Sequence, residues 1–338
     1  MSRGAGLVLL FTSLLGACNL FKIDCARPEV LCAALVTDTG GLADYGQAQS
    51  AWDDIHRAQA DGLVQQANYI ESADPRDYAK NLDFFAGQNY DVIVAAGVGL
   101  ADAALQAADK WPDSVFVGLD QPPAGSVPNF VNIKFPVDQA GFLAGALAAN
   151  VTATGIIRAA CEDSGLFSNW QTCEGFRAGA RHEDPFVQVR VLYRDNGSQE
   201  SLFRDRDWGQ AAALDLIADG ADIIFGVGGG TGEAALVGAA EAGAWAIGSE
   251  RDQFYVTRVA QDFLLTSMIH SSSPAVYDLV ALIGNGSTIQ STYQGVIEIA
   301  PFHLLEDQVS QDARGRLTGI KLQLAQNTLS TGIPSEPP

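Results

Sequence analysis

Short apolar stretches alternate with helical stretches along most of this 338-residue chain. Apolar runs such as 30–36 and 91–96 are typical of strands that are buried on both faces. Each run is followed by a helical pattern, and this order predicts parallel sheets with right-handed crossovers. About ten such units exceed what one sheet holds comfortably. The sequence therefore predicts an α/β fold with two doubly wound parallel-sheet lobes joined by a hinge.

The division of the chain between the lobes follows from two predicted crossover regions, 138–151 and 248–257. Lobe 1 is assigned residues 30–137 plus 256–284, and lobe 2 is assigned residues 138–255 plus 285–325. Within the last part of the chain, the pattern predicts a helix over 263–283. Residues 326–338 end in a stretch rich in Ser and Pro, which predicts a frayed tail.

The most distinctive single stretch is 221–235, where an apolar run ends at a cluster of glycines and an alanine-rich helical pattern follows. Thr231 is predicted to cap this helix, and the turn would direct backbone N–H groups at an anion or a polar ligand. The turn resembles a dinucleotide-binding loop, but its glycines lack the Gly-x-Gly-x-x-Gly spacing. The acids that follow, Glu241 and Glu250, do not clearly end a second strand. An NAD-dependent oxidoreductase is therefore the less favoured alternative.

The charge of the chain and the motifs around its histidines argue against several classes of function. The chain has 20 basic and 40 acidic residues, which argues against nucleic acid or an anionic membrane surface as a partner, since both need a basic face. Its four histidines lie outside the motifs of nucleophile elbows and metal sites. We therefore expect a protein that is not an enzyme and that uses no cofactor and no metal.

The N-terminus predicts export. Residues 1–17 combine Arg3, an apolar stretch and a small-residue end directly before Cys18, a pattern that resembles a bacterial lipoprotein signal. Cleavage would leave an acylated Cys18 and a polar tether over 18–29. An ordinary signal peptide with an incidental cysteine is the alternative. We expect a protein of the bacterial cell envelope, bound to the membrane through this lipid only and facing the periplasm or the cell exterior.

Four further cysteines are compatible with oxidising surroundings. An even number of cysteines in an exported chain predicts two disulfides, and three pairings are possible. Local closure favours Cys25–Cys32 and Cys161–Cys173. Zinc binding is the rival interpretation, but the chain has no Cys-x-x-Cys motif and no nearby His pair.

Polar or glycine-rich loops follow nearly every predicted strand. In open parallel sheets, ligands bind beyond the carboxyl ends of the strands, so these loops predict a ligand held between two lobes. The loops contain Asp38 and Asp44, Gly97–Gly99, Asp120, 161–170, 228–232, and Ser249 with Glu250. Any one of these carboxylates could instead be a helix cap, so the prediction depends on their recurrence.

Several motifs, taken together and in order, are similar to one known family. The stretches are 37–44 with Ser50-Ala51-Trp52, 91–102, Phe135 with 141–149, 220–225, 229–232, Asp252-Gln253 and Thr266-Ser267-Met268. They resemble the basic membrane protein family of ABC-transporter substrate-binding lipoproteins, which includes purine-nucleoside receptors. The likeness covers about residues 30–300.

This resemblance implies a type I periplasmic-binding-protein fold that closes on a nucleoside and delivers it to ABC permease subunits. It implies that Asp38 and Asp44 line the cleft in lobe 1 and that Asp120 contacts the base. Glu250 stands where the family usually has an aspartate for the ribose hydroxyls. The ligand-binding residues expected on this basis are Asp38, Asp44, Tyr45, Gly97, Asp120, Trp170, Gly229, Gly230, Thr231, Glu250 and His270.

The chain departs from the family at the clamp around the base. The family's Lys-Ser-Phe-Asn run after the position of Asp44 is here Tyr45, Gly46, Gln47 and Ala48. A lysine of the family is replaced by His270, which could also be a plain surface residue. Tyr45 or a residue of the loop 167–170 could restore stacking on the base, or the ligand could be something other than a purine nucleoside. A ligand-sensing lipoprotein without a transport role is the alternative function.

Overall fold

The computed structural model describes residues 23–121, 127–198 and 201–335. Its core consists of two six-stranded sheets, each with helices on its faces, and this architecture confirms the predicted α/β fold with two parallel-sheet lobes. The N-terminal prediction for residues 1–17 and the lipid site Cys18 lies outside the described residues. No helix in the described part of the chain has the length and apolar character needed to cross a membrane.

The first sheet is entirely parallel and belongs to lobe 1. In spatial order, its strands are β11 (Thr292–Gln294), β5 (Phe130–Lys134), β4 (Val115–Leu119), β3 (Val92–Ala96), β1 (Cys32–Thr37) and β2 (Gln66–Glu71). The central strands β1 and β3 are buried along their whole length. Burial on both faces explains why these strands read as continuous apolar runs rather than as alternating patterns.

The second sheet belongs to lobe 2 and is parallel except at one edge. In spatial order, its strands are β12 (Val296–Ile299), β10 (Leu264–Ser271), β9 (Trp245–Glu250), β8 (Ile223–Val227), β6 (Ile156–Cys161) and β7 (Gln188–Tyr193). Among the described strands of this sheet, β12 alone runs antiparallel, and it pairs with β10. The carboxyl ends of the parallel strands of both sheets therefore supply the loops that can meet between the lobes.

Ten α-helices cover the sheets in the described residues. They are α1 (Gln47–Ala60), α2 (Tyr78–Ala86), α3 (Ala101–Lys110), α4 (Val137–Val151), α5 (Phe167–Glu183), α6 (Arg206–Ala218), α7 (Gly229–Glu241), α8 (Gln253–Val256), α9 (Ala275–Gly284) and α10 (Gln311–Ala325). The glycines of α4 bring this helix against α5. A Cβ on Gly145 would lie 1.9 Å from the carbonyl oxygen of Phe176, so the two helix backbones are in direct contact.

The predicted boundaries need correction in the last third of the chain. The residues predicted as one helix over 263–283 form strand β10 and then helix α9. Strand β10 pairs with β9 in lobe 2, although 256–284 was assigned to lobe 1. Conversely, 285–325 was assigned to lobe 2, but β11 pairs with β5 in lobe 1. These pairings join distant parts of the chain, so local patterns do not reveal them.

Within the described residues, the chain crosses between the lobes three times: between β5 and α4, between β10 and α9, and between β11 and β12. The second crossing lies after β10, not in the predicted region 248–257. The three crossings touch at Gly295, whose N–H donates to the carbonyl of Lys134. A Cβ on Gly295 would lie 2.4 Å from the ring of Phe135 and 2.9 Å from the carbonyl oxygen of Ser271. The hinge is thus one compact bundle of three segments.

The disulfides and the C-terminal segment complete the fold. The disulfides Cys25–Cys32 and Cys161–Cys173 are both present, which confirms the favoured pairing. The predicted frayed tail is instead attached to lobe 2 over its described part. The hydroxyl of Thr331 donates to Asp138 at 2.6 Å, and the Gln171 amide donates to the carbonyl of Pro334 at 2.7 Å.

Candidate functional site

A cavity of about 360 Å³ lies between the lobes. Eight of the residues predicted to bind a ligand line it: Asp38, Asp44, Gly97, Asp120, Gly229, Gly230, Glu250 and His270. Three others, Tyr45, Trp170 and Thr231, lie outside the lining. The size is within the range of about 300–1,000 Å³ that is usual for small-molecule sites. Strand-end loops of both lobes therefore form one shared pocket.

Asp38 follows β1 and forms part of the wall contributed by lobe 1. One carboxylate oxygen accepts a hydrogen bond from the N–H of Gly40 at 2.8 Å. The other approaches Gly97 so closely that a Cβ there would lie 2.2 Å away, and Gly97 has a φ of +120°. Burial raises the pKa of Asp38, while the Gly40 N–H and the charge of Arg251 oppose that shift. Gly97 is therefore required for both space and backbone conformation.

Asp44 has a different environment from that of Asp38. Its carboxylate accepts hydrogen bonds from the N–H groups of Gly46, Ala48 and Gln49, at 2.9, 3.0 and 3.0 Å. Both oxygens are thus engaged at the start of α1, where an acid also interacts favourably with the helix dipole. Asp44 lines the cavity, but in this structure its carboxylate holds the start of α1 in place.

Asp120 and His270 both line the cavity, and each affects the pKa of the other. Burial raises the pKa of Asp120, His270 opposes the rise, and Glu250 adds to it. Burial also lowers the pKa of His270, against the influence of Asp120. The His270 ring is 7% exposed and stacks on Phe135 at the hinge, with ring centroids 5.2 Å apart. Its Nε2 has no hydrogen-bond partner among the described residues, so this buried nitrogen is available to a ligand.

The glycine turn that follows β8 forms the wall contributed by lobe 2. Gly228 and Gly229 have φ values of +102° and +55°, and α7 begins at Gly229. The N–H of Gly229 points at a carboxylate oxygen of Glu250 at 3.4 Å. Burial raises the pKa of Glu250, with Arg251 and this N–H acting against the rise. The turn is thus occupied in part by an acid of the protein itself.

Thr231 was predicted to cap α7, and this prediction is wrong. The helix begins two residues earlier, so Thr231 lies in its first turn and is buried. Its hydroxyl donates to Glu162 at 2.7 Å and accepts from the N–H of Asp205 at 3.1 Å. Thr231 therefore belongs to the layer beneath the cavity wall.

Beneath the glycine turn lies a fully buried ion pair between Arg194 and Glu162, and Asp205 also accepts from Arg194 at 3.2 Å. Glu162 additionally accepts a hydrogen bond from the N–H of Phe203 at 2.8 Å. The carbonyl of Phe203 accepts from the N–H of Gly230 at 2.8 Å. These bonds fix Phe203 at a φ of +61°, an uncommon conformation for a non-glycine residue. The network thereby holds Phe203 as part of the cavity lining.

Phe203 is the main lining residue that sequence reasoning missed. It lies in a loop with no motif, and the bonds that fix it come from residues distant in sequence. Three residues at the start of α5 were also missed individually, namely Ser168, Asn169 and Thr172. The lining also includes Gln47, Val98 and Ser249, which belong to stretches named in the sequence analysis. Its other members are Thr39, Gly40, Val137, Val227 and Arg251.

The two aromatic residues expected to stack on a ligand are occupied elsewhere. The Tyr45 ring stacks on Tyr255, with centroids 4.8 Å apart and 19° between the planes. The Trp170 ring stacks on Phe167 at 5.7 Å. In this structure both rings have partners within the protein, so their roles in ligand binding stay predictions.

Comparison with known proteins shows the family of the chain. The profile of a family described as "ABC transporter substrate-binding protein PnrA-like" matches residues 32–319. A protein of Listeria monocytogenes named "CD4+ T-cell-stimulating antigen" is 29% identical over 79% of this chain and 78% of its own. The "ABC transporter nucleoside-binding protein BmpA" of Lactococcus lactis is 27% identical over 73% of each chain.

A solved structure shows the same fold. The solute-binding protein of an ABC transporter system from Conexibacter woesei superposes with a TM-score of 0.68 at 21% identity, covering 88% of this chain and 98% of that one. At this identity the likeness concerns the fold alone, a two-lobed periplasmic-binding-protein fold of type I. Because the family profile spans most of the described residues, the chain belongs to the PnrA-like family of ABC transporter substrate-binding proteins.

Proposed function

We propose that the chain is a lipid-anchored receptor that binds a neutral, hydroxyl-rich small molecule, most simply a nucleoside, between its lobes. The observation that carries the proposal is that Asp120 of lobe 1 and Glu250 of lobe 2 face one cavity. A carboxylate accepts two hydroxyl hydrogen bonds at once, each worth about 1.5–3 kcal/mol. A ligand that bonds to both acids would therefore bridge the lobes.

Phe203 supports a ligand that includes an aromatic ring. The hydrogen bonds to its backbone fix its position without involving the side chain. With the backbone of Phe203 fixed, its side chain would offer a stacking face to a ligand at little entropic cost. Val98 and Val137 add apolar surface to the same cavity. A nucleoside has the matching halves, an aromatic base and a sugar with hydroxyl groups.

The charges of the lining favour a neutral ligand over an anion. Four acids line the cavity, Asp38, Asp44, Asp120 and Glu250, while Arg251 is its one arginine or lysine among the described residues. Charges in a partly buried site interact strongly because the effective dielectric constant is low. A phosphate group would meet net repulsion here, so we expect nucleosides to bind more tightly than nucleotides.

Transport would use closure of the lobes about the three crossing segments. A ligand that contacts both lobes shifts the population toward the closed state. ABC permease subunits would then take the ligand from the closed protein. Acylation at Cys18 would hold the protein at the outer face of a bacterial membrane, within reach of such a permease.

The proposal is tested by Glu250→Ala, with Glu298→Ala as the matched control because Glu298 is an exposed acid on strand β12 of the same lobe. Adenosine, guanosine, inosine, adenine and ribose are titrated calorimetrically into the full chain. Loss of one charged hydrogen bond predicts roughly ten- to a hundredfold weaker nucleoside binding for Glu250→Ala. The control should bind like the parent. If no nucleoside binds, or if Glu250→Ala binds unchanged, the proposal is wrong.

A further inference from the structure

The lobes touch along a short line of contacts beside the cavity, which we call the seam. On lobe 1 it consists of Tyr45 and Gly46, and on lobe 2 of residues 250–255. The N–H of Asp252 donates to the carbonyl of Tyr45 at 2.9 Å. The Tyr45 ring stacks on that of Tyr255 at 4.8 Å. One hydrogen bond and one ring pair therefore join the lobes directly, without a ligand between them.

Gly46 lets the two backbones meet. It is buried, and a Cβ on it would lie 3.0 Å from the carbonyl oxygen of Glu250 and 3.1 Å from the Cβ of Arg251. These two close approaches show that position 46 has no room for a side chain. Any larger residue at position 46 would push against the backbone of lobe 2.

The side of the seam on lobe 2 is braced from behind. Asp252 caps α8 by accepting a hydrogen bond from the N–H of Phe254 at 3.2 Å. The Nε2 of His303 lies 2.9 Å from the other carboxylate oxygen of Asp252. The His303 ring also stacks on Phe254, with centroids 4.0 Å apart and 11° between the planes. Tyr45 and Gly46 thus contact a rigid surface and not a free loop.

Glu250 connects the seam to the cavity. Its side chain lines the cavity, and its backbone carbonyl lies against Gly46. A rotation that separates the lobes at this place would break the Asp252–Tyr45 hydrogen bond and the tyrosine pair together, and it would withdraw Glu250 from the acids of lobe 1.

We propose that the seam is a latch, in which Tyr45 and Gly46 act as positioning residues that hold the lobes together and set the place of Glu250 in the closed cavity. The latch is formed by contacts within the protein, so it stabilises closure whatever the ligand is. A stacked ring pair alone is expected to favour the closed state about two- to tenfold. This role also accounts for the ring of Tyr45 lying outside the cavity lining.

The latch can be tested by measuring the distance between the lobes without any ligand. Spin labels are placed by Asp109→Cys on α3 and Asp215→Cys on α6, two exposed helix positions, in a chain with Cys18→Ser. The remaining cysteines are held in disulfides. Pulsed electron paramagnetic resonance then gives the distance distribution between the lobes.

The proposal predicts that Gly46→Ala and Tyr45→Ala shift this distribution away from that of the parent and broaden it. Tyr45→Phe keeps the ring pair and should restore the parent distribution. The matched control is Gly315→Ala, because a Cβ on Gly315 meets no atom within 4 Å.

If Gly46→Ala and Tyr45→Ala both give the distribution of the control, the latch does not exist. Should Gly46→Ala fail to fold, the Tyr45→Ala and Tyr45→Phe pair decides, since Tyr45 is exposed. No ligand is used, so this result is independent of whether the protein binds nucleosides.

Discussion

Gly145 offers a sharp test of how helices α4 and α5 are packed. A Cβ on Gly145 would lie 1.9 Å from the carbonyl oxygen of Phe176 and 2.8 Å from the nitrogen of Ala180. Neither atom can rotate away, since both belong to the backbone of α5. Gly141, Gly175 and Gly179 make similar contacts along the same interface. Gly145→Ala must therefore push the two helices apart.

The expected cost of Gly145→Ala combines two opposing effects. Alanine is the better helix former, which would stabilise the chain by about 1 kcal/mol if the methyl group had room. Overpacking of a tight interface costs about 1–3 kcal/mol and sometimes more. Contact with rigid backbone places this substitution at or beyond the upper end of that range. The net expectation is a loss of about 2 kcal/mol in the free energy of unfolding.

Urea unfolding followed by circular dichroism measures the change, with Gly315→Ala in α10 as the control. A Cβ on Gly315 meets no atom within 4 Å, so alanine should stabilise there by up to about 1 kcal/mol. The two substitutions are chemically identical and both lie inside long helices. If Gly145→Ala stabilises the chain as Gly315→Ala does, the helices are not in backbone contact and the argument fails.

Two further predictions concern buried charges. Arg194→Met leaves buried Glu162 without its cation and should cost about 3–5 kcal/mol of unfolding free energy. The control, Arg190→Met, removes a surface ion pair and should cost at most about 1 kcal/mol. Equal losses of unfolding free energy, measured in urea, would refute the burial argument. Burial lowers the pKa of His270, so the unfolded chain takes up its proton more readily and stability should fall as pH drops through about 6.5. His270→Asn should therefore lose less stability than the parent between pH 7.5 and 5.5, and identical urea midpoint shifts would contradict this.

Strand and helix alternation was enough to predict the α/β lobes because burial on both faces leaves a strong local pattern. Strands β1, β3 and β8 are buried throughout and read as apolar runs. The two disulfides could also be predicted, because each of them closes a short loop. Features of this kind depend on neighbours in sequence, so the sequence alone reveals them.

Strand β10 could not be predicted in the same way. Strand β10 contains the polar residues Thr266, Ser267 and His270, and the helical pattern of α9 follows it closely in the sequence. Their strand character comes from pairing with β9 and β12, partners brought together only by the fold. Helix α10, in contrast, was missed although a signal exists: Ala313, Leu317, Ile320 and Leu324 are buried at helical spacing.

Part of the candidate site could be predicted from strand ends alone. Asp38, Gly97 and Asp120 directly follow strands, Glu250 is the last residue of β9, and all four line the cavity. Strand ends do not show which acids are already engaged. Asp44 is held by three N–H groups of its own loop and helix. Phe203 is held by partners from other elements, so nothing near it in sequence indicates its place.

The three crossings between the lobes have a consequence for how the chain matures. It leaves the ribosome N-terminus first, so strands β1–β5 are available long before β11, which completes their sheet. Until β11 arrives, the outer edge of β5 has unpaired backbone groups. Likewise, β10 and β12 join the second sheet after its other strands. Neither lobe can finish before nearly the whole chain is present, and such distant pairings slow folding. The strands that complete both sheets are therefore among the last parts of the chain to be made.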